Sequence, residues 1–306
     1  MKGNRLLADS AITALAPMIW GSTYLVTTQL LPPDRPLLAA AVRALPAGLI
    51  LLLFGRILPQ GIWWWRALVL GTLNIGAFFF LLFVAAYKLP GGVAALVGSV
   101  QPMIVLALAA LLLGDRIRLP HLLACLAASA GVALLVLKAT AQLDLVGVLA
   151  ALGGAVCMAS GIVLTKRWQR PADVNVLLFT GWQLTAGGLV LLPALFLMEG
   201  LPSTITGTNA LGFGYLIVLG SLFAYSVWFR GTDRVPAIGL SFLGFFSPIV
   251  ATVLGLVFLG QTLSFLQLVG ALILIGSIVL VQLTPTKPAA VPRTTTASPA
   301  KVSASG

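Results

Sequence analysis

The sequence predicts an all-α integral membrane protein of ten transmembrane helices, arranged as two inverted five-helix repeats. Three observations predict this class. Of the 306 residues, 59% are hydrophobic and only 8% are charged, which is too little polar surface for a domain that faces water. Apolar runs long enough to span a bilayer recur from the N-terminus to about residue 283. Glycines and prolines of the fourth and ninth runs recur at a constant separation.

The apolar runs divide the chain into ten predicted spans, each long enough to cross a hydrocarbon core of about 30 Å as a helix. The first run contains Thr27, Thr28 and Gln29 and leads directly into more membrane, so we interpret it as a retained helix rather than a signal peptide. The predicted spans cover residues 8–31, 37–55, 63–87, 91–113, 120–138, 144–167, 174–197, 210–233, 236–259 and 264–283.

The basic residues between the spans predict the orientation of the chain. With a cytoplasmic N-terminus, fourteen of the 18 Lys and Arg residues fall in inside segments, Arg35, Lys88 and Lys138 fall in outside segments, and Arg43 lies within a span. Because Lys and Arg are enriched in cytoplasmic segments, this favours both termini in the cytoplasm. We expect the membrane to be a bacterial inner (plasma) membrane. The net charge of +11 therefore does not indicate a nucleic acid partner.

An internal repeat connects the fourth and ninth spans. Five spans per copy is an odd number, so the second copy must cross the membrane in the opposite direction. The predicted units are residues 1–141 and 142–283, followed by a disordered cytoplasmic tail at 284–306 that is rich in Pro, Thr, Ala and Ser. The residues that are 146 apart are Pro90 and Pro236, Gly98 and Gly244, Pro102 and Pro248, and Gly114 and Gly260.

A Gly-x-x-x-Pro pattern within this repeat predicts a bend in each helix. Pro102 and Pro248 cannot donate a backbone hydrogen bond, and each ring crowds the carbonyl four residues earlier, which belongs to Gly98 or Gly244. The freed carbonyls must meet protein, water or substrate, because lipid cannot satisfy them. The alternative is a packing kink without a role. Because the Gly-x-x-x-Pro pattern occurs in both copies, we favour gating hinges at the two glycines and the two prolines.

Several residues carry a resemblance to a known family: Trp20-Gly21-Ser22 in the first span, Arg43 in the second, and the pairs Gln101-Pro102 and Ser247-Pro248 in the fourth and ninth. With the repeat, they resemble the EamA type of the drug/metabolite transporter superfamily, and within it the YddG-type amino-acid exporters. The resemblance covers about residues 8–283. It implies the drug/metabolite transporter fold, with a central cavity lined mainly by the third, fourth, eighth and ninth spans.

The positions of the ionisable residues narrow the chemistry. No carboxylate is predicted at mid-membrane, and His121 begins the fifth span. Small multidrug-resistance relatives depend on an acidic residue in the first span, so the resemblance disfavours cation/proton antiport. Phosphorylated substrates would need several cavity cations, whereas only Arg43 and Lys88 are available. A small zwitterion fits better. The seven acidic residues are Asp9, Asp34, Asp115, Asp144, Asp173, Glu199 and Asp233.

Arg43 is the charge that lies farthest inside a predicted span. It could extend outward to the interface, hold a substrate carboxylate, or tie helices together through backbone carbonyls. Because Arg at this place matches the family pattern, we favour a helix-tying or gating role. Gln183 is approximately its counterpart in the second copy.

The candidate substrate-binding residues are aromatic and neutral polar side chains at membrane depth. Phe79 and Phe83 share a helix face, and the 146-residue shift places Phe79 opposite Tyr225. Aromatic walls accept varied side chains by contact area, although each of these residues could instead pack against neighbouring helices. The candidates are Trp20, Tyr24, Asn74, Phe79, Phe83, Gln101, Gln183, Tyr225, Trp228 and Ser247.

We therefore predict export of small zwitterionic metabolites, above all amino acids of broad side-chain range. The predicted mechanism is alternating access by a monomer, driven by the substrate gradient, without a cofactor or metal. Cys125 and Cys157 are interpreted as packing residues, because they lack metal-ligand spacing. The alternatives are a proton-coupled drug/metabolite exporter, a channel and, from another class, an intramembrane enzyme. An enzyme would need a reactive constellation that is not visible at membrane depth.

Overall fold

The structure, a computed structural model, describes residues 2–89, 94, 97–136, 144–259 and 264–283, and no β-strand occurs in these ranges. Pro90, Gly260 and the predicted tail at 284–306 lie outside them. The main helices are α1 Lys2–Trp20, α2 Thr23–Leu30, α3 Pro36–Gly55, α4 Trp63–Lys88, α5 Gln101–Leu113, α6 Leu119–Val136, α7 Leu145–Trp168, α8 Val176–Glu199, α9 Gly207–Thr232, α10 Ala237–Leu243, α11 Phe246–Leu259 and α12 Phe265–Leu283.

The helices have the length and surface of a membrane protein. Within the described ranges, six helical stretches are long and apolar enough to cross a bilayer: α3, α4, α7, α8, α9 and the combined segment Ala237–Phe258. Phe54 and Leu197 are each 86% exposed, as is normal for side chains that face lipid. The prediction of an all-helical membrane protein is therefore confirmed. The arrangement of ten helices in two inverted repeats stays a prediction.

Side chains at the helix N-termini define where several helices begin. Asp144 precedes α7 and accepts a hydrogen bond from the Gly147 amide at 2.8 Å, and Asn175 does the same for the Leu178 amide of α8. Thr206 forms a capping box at the start of α9. Each cap satisfies an amide that has no partner within the helix, so these short polar residues separate the apolar segments.

The helices α3 and α8 cross with their backbones in contact. A Cβ atom on Gly48 would lie 2.4 Å from the Thr185 amide nitrogen, and one on Gly188 would lie 2.8 Å from the Leu45 Cβ. Gly188 follows Gly48 by 140 residues, and Thr185 follows Leu45 by the same number. The same contact is thus made twice, with the roles of the two helices exchanged.

Several helices are interrupted in the interior. Gly21 and Ser22 form a turn between α1 and α2, Ser99 and Val100 form one before α5, and Gly244–Phe245 separates α10 from α11. The predicted bends at Gly98-x-x-x-Pro102 and Gly244-x-x-x-Pro248 therefore coincide with short turns in the helices. The turn at Gly21 was not predicted. Two π-helical segments, Thr72–Gly76 in α4 and Val218–Phe223 in α9, were also missed, and they begin 146 residues apart.

Candidate substrate cavity

A cavity of about 150 Å³ lies among α1, α4, α5, α7, α9 and the α10–α11 pair. One part of its wall is aromatic, and the part contributed by α7 consists mainly of small residues, namely Ala150, Ala151, Gly154 and Ala155. Because these side chains of α7 are small, they leave open space beside the aromatic rings. The aromatic lining residues are Trp20, Tyr24, Phe78, Trp228 and Phe245.

Two of the helix interruptions supply polar groups to this cavity. The turn before α5 and the turn between α10 and α11 both lie in its wall, so the duplicated Gly-x-x-x-Pro segments are brought to one place. Their hydroxyl and amide groups can each donate and accept hydrogen bonds. The lining residues from these segments are Gly98, Ser99, Gln101, Pro102, Ser241, Gly244, Ser247 and Pro248.

Arg43 lines the cavity but is almost completely enclosed, with 1% of its surface exposed. Its Nη2 donates to the Gly220 carbonyl at 3.2 Å, and its Nη1 lies 3.5 Å from the Thr23 Oγ1. The guanidinium carbon lies 4.4 Å from the centre of the Phe79 ring. These partners are neutral, so the charge of Arg43 is held by a backbone dipole and an aromatic face.

Trp20 is the last residue of α1 and presents its ring to the cavity. Its Nε1 donates to the Gly220 carbonyl at 3.0 Å, and its ring lies 4.7 Å from that of Tyr225 and 5.1 Å from that of Trp228, between centroids. The next residue, Gly21, touches α11: an added Cβ would lie 2.5 Å from the Ser247 carbonyl oxygen. The end of α1 is therefore fixed against α9 and α11.

The predicted binding residues fall into two groups. Trp20, Tyr24, Gln101, Trp228 and Ser247 line the cavity. The other five lie behind the wall. Phe79, Phe83 and Tyr225 have no exposed surface, and the Phe79 and Tyr225 rings lie 5.5 Å apart between centroids. Asn74 donates to the Gln183 Oε1 at 2.7 Å and to the Thr165 Oγ1 at 3.3 Å.

Sequence reasoning did not select Phe78, Phe245 or Ser241 as binding residues, although all three line the cavity. Phe245 directly follows the predicted hinge Gly244, and this position could have indicated that it lines the cavity. Ser241 lies one turn before the same hinge. Phe78 adjoins Phe79 in an apolar run that has no polar face to indicate which ring points inward.

Ion pairs lie at the ends of the helix bundle. Asp9 accepts hydrogen bonds from Arg230 at 2.9 Å and Arg234 at 3.2 Å, and Arg170 pairs with Asp233 at 3.2 Å. On the cavity side of these pairs, all seven residues of α10 are buried. A fully buried helix thus connects the Asp9 end of the bundle to the cavity wall, to which its Ser241 contributes. At the other end, the Lys88 Nζ lies 3.9 Å from the Asp144 Oδ2.

The chain is similar to known transporters along most of its length. The EamA-like transporter family matches residues 10–137 and 145–283. Protein PecM of Dickeya dadantii (strain 3937) is 52% identical over 267 residues, which are 87% of this chain and 90% of that protein. The probable amino-acid metabolite efflux pump of Salmonella typhimurium (strain LT2) is 25% identical over 285 residues, which are 88% of this chain and 93% of the pump.

A solved crystal structure of a protein has the same fold. It superposes with a TM-score of 0.75 at 22% identity and covers 90% of this chain and 96% of the other. The family matches together cover most of the chain, and the helices described above are long and apolar enough for a bilayer. The chain is an integral membrane transporter that belongs to the EamA-like transporter family.

Proposed function

We propose that this transporter exports small zwitterionic metabolites, amino acids of varied side chain above all, by alternating access as a monomer. The observation that carries the proposal is the cavity at the two duplicated helix interruptions, between Gly98 and Pro102 and between Gly244 and Pro248. A compact site where broken helices meet is typical of carriers whose two ends open in turn.

The packing of the helices supports ten spans in two inverted repeats, residues 1–141 and 142–283. Under this assignment the second span, α3, packs on the seventh, α8, and the fifth, α6, packs on the tenth, α12. The third and fourth spans pack on the sixth, as the eighth and ninth pack on the first. Each of these contacts thus has a counterpart in which the first and second halves of the chain exchange roles. The two family matches, which divide near residue 141, support the same units.

The lining of the cavity supports a small substrate with few formal charges. Among the described lining residues, Arg43 is the one with a charged side chain, and the other polar groups are hydroxyls, an amide and the indole N–H of the tryptophans. Aromatic and small residues make up most of the rest, so varied side chains can bind by contact area. A relative named as a probable amino-acid metabolite efflux pump agrees with this substrate class.

The same lining favours facilitated diffusion over proton coupling. A proton-coupled carrier needs a group that titrates within the pathway, and the described lining residues include no carboxylate or imidazole. The acidic residues Asp9, Asp144 and Asp233 pair with basic residues at the ends of the bundle instead. With both termini in the cytoplasm, the end that holds Asp9 faces the cytoplasm, and we expect substrate loading from that side to require a movement of the buried helix α10.

Counterflow in proteoliposomes tests the proposal. The purified full-length chain is reconstituted with unlabelled neutral L-amino acids inside, and uptake of the same labelled amino acids is measured. We expect saturable counterflow without substrate-dependent proton movement. Gly154→Met places a side chain at the cavity wall and is expected to abolish counterflow, whereas Gly214→Met is the matched control, because a Cβ atom at Gly214 meets nothing within 4 Å.

Three outcomes would contradict the proposal. Flux that does not saturate indicates a channel, and substrate-dependent acidification indicates a proton-coupled exporter. Equal counterflow by Gly154→Met and Gly214→Met would show that the substrate does not pass through this cavity.

A further inference from the structure

The π-helical segment Val218–Phe223 leaves one main-chain carbonyl without its usual donor. In a continuous α-helix, the Ala224 amide would donate to the Gly220 carbonyl four residues earlier. Here it donates to the carbonyls of Leu219 and Ser221. A carbonyl released in this way inside a membrane protein must find another partner, and π-helical insertions of this kind are common at functional sites.

Two side chains from different helices supply that partner. The Trp20 Nε1 lies 3.0 Å from the Gly220 oxygen, and the Arg43 Nη2 lies 3.2 Å from it. A carbonyl oxygen has two lone pairs, so it accepts both hydrogen bonds without competition. The bond from Arg43 is charge-assisted, and it helps to hold the carbonyl in place for the indole.

This contact determines where the wall of the cavity lies. Trp20 lines the cavity and is the final residue of α1, directly before the turn at Gly21 and Ser22. The Ser22 hydroxyl lies 2.6 Å from the Tyr215 hydroxyl, one turn before the π-helical segment. Both bonds fasten the broken first helix to α9, so the indole cannot change position unless α9 moves with it.

We propose that the π-helical segment of α9 positions Trp20 as a wall of the substrate cavity, and that Arg43 acts through the shared Gly220 carbonyl rather than by binding the substrate. The proposal deepens the function proposed above and rests on it for its transport readout. Arg43 is then a positioning residue. Its charge contributes to the shape of the cavity, and it does not select substrates that carry a carboxylate.

The chain contains a matched control for the loss of this hydrogen bond. The Trp182 Nε1 also donates to a backbone carbonyl, that of Ile57 at 2.8 Å, but Trp182 does not line the cavity. Trp20→Phe and Trp182→Phe therefore remove the same kind of bond inside and outside the site. We expect Trp20→Phe to raise the KM for amino-acid counterflow by about fivefold, and Trp182→Phe to leave it unchanged.

Arg43→Gln and a spectroscopic probe separate positioning from substrate binding. The full-length protein is produced with 5-fluorotryptophan, and the fluorine resonances of Trp20 and Trp182 are assigned from the two Phe variants. We expect Arg43→Gln to shift the Trp20 resonance and not that of Trp182. In Arg43→Gln, the KM for an amino acid and the KM for the corresponding amino-acid amide should rise by the same factor. Because both residues act through one carbonyl, Arg43→Gln with Trp20→Phe should be no worse than the larger single effect.

The proposal is overturned by an unmoved Trp20 resonance in Arg43→Gln, by equal KM values in Trp20→Phe and the unaltered protein, or by a KM increase confined to substrates with a carboxylate. If Arg43→Gln does not fold, Arg43→Lys replaces it in the fluorine measurement and in the comparison of amino acid with amino-acid amide. If no amino acid shows counterflow, the proposed function fails, and the fluorine resonances test the positioning independently.

Discussion

Two polar clusters lie at corresponding places in the two halves of the chain, and they differ in charge and surroundings. The Arg43 crossing consists of Arg43, Gly220 and Trp20, and the Gln183 crossing of Gln183, Asn74 and Gly161. Gln183 follows Arg43 by 140 residues and Gly220 follows Asn74 by 146. In each crossing a side chain of a central helix, α3 or α8, meets a π-helical segment of the other half, Val218–Phe223 or Thr72–Gly76.

The difference lies in what surrounds each crossing. Arg43 and Trp20 line the cavity, and the first helix is broken beside them at Gly21. At the Gln183 crossing, α7 runs through Gly161 without interruption, and the Asn74 side chain lies so close that a Cβ on Gly161 would be 1.9 Å from its Oδ1. Duplicated backbone geometry therefore does not require duplicated chemistry. We expect the first crossing to control transport and the second to control stability.

Among the substitutions that compare the two crossings, Gly21→Ala has the largest expected effect, and this effect is on transport. The added Cβ would meet the Ser247 oxygen at 2.5 Å and the Val250 Cβ at 2.9 Å, and these atoms cannot move away as a flexible side chain can. We expect counterflow to fall by roughly tenfold or more, as an overpacked backbone contact costs a few kcal/mol. Gly214→Ala, whose Cβ meets nothing within 4 Å, is the control. Unchanged counterflow in Gly21→Ala would remove the distinction between the crossings.

A smaller effect is expected for Gly161→Ala, and on stability rather than on transport. The new methyl group must displace the Asn74 amide and break its bonds to Gln183 and Thr165, at a cost of about 1–3 kcal/mol. Thermal unfolding in detergent measures this loss. Asn74→Ala in the same chain removes the clash, so the double variant should be no less stable than Asn74→Ala alone. An additive loss would contradict the assigned contact.

The smallest effect is expected for Gln183→Leu. The substitution removes one interhelical hydrogen bond, which is worth about 1 kcal/mol or less within a membrane protein. Because Gln183 does not line the cavity, the KM for amino-acid counterflow should equal that of the unaltered protein. A raised KM with unaltered thermal unfolding would show that the Gln183 crossing also faces the substrate pathway.

The parts of the fold that the sequence could predict are those encoded in the backbone preferences of single residues. Proline and glycine act on their own helix, so the paired interruptions at Pro102 and Pro248 were visible without any tertiary information. The turn at Gly21 had a weaker signal in the sequence. The nearest proline, Pro17, lies four residues earlier inside α1, and the Gly21 amide still donates to the Pro17 carbonyl.

The division of the candidate residues was not predictable. Spans that are apolar all round have no polar face to show which side points inward. A polar side chain in such a span can line a cavity or bond to another polar side chain, and only the crossing of distant helices decides between them. Gln101 lines the cavity, whereas the Asn74 amide donates to the Gln183 Oε1. The π-helical segments likewise have no local signature comparable to proline.

The backbone contact between α3 and α8 has a mechanical consequence. Gly48 and Gly188 let the two helices approach closely at their crossing, because an added Cβ would lie 2.4 Å from the Thr185 amide nitrogen or 2.8 Å from the Leu45 Cβ. If this carrier opens its two ends in turn, as proposed, we expect this closely packed pair to stay fixed. We expect the movement to occur in the broken helices around the pair.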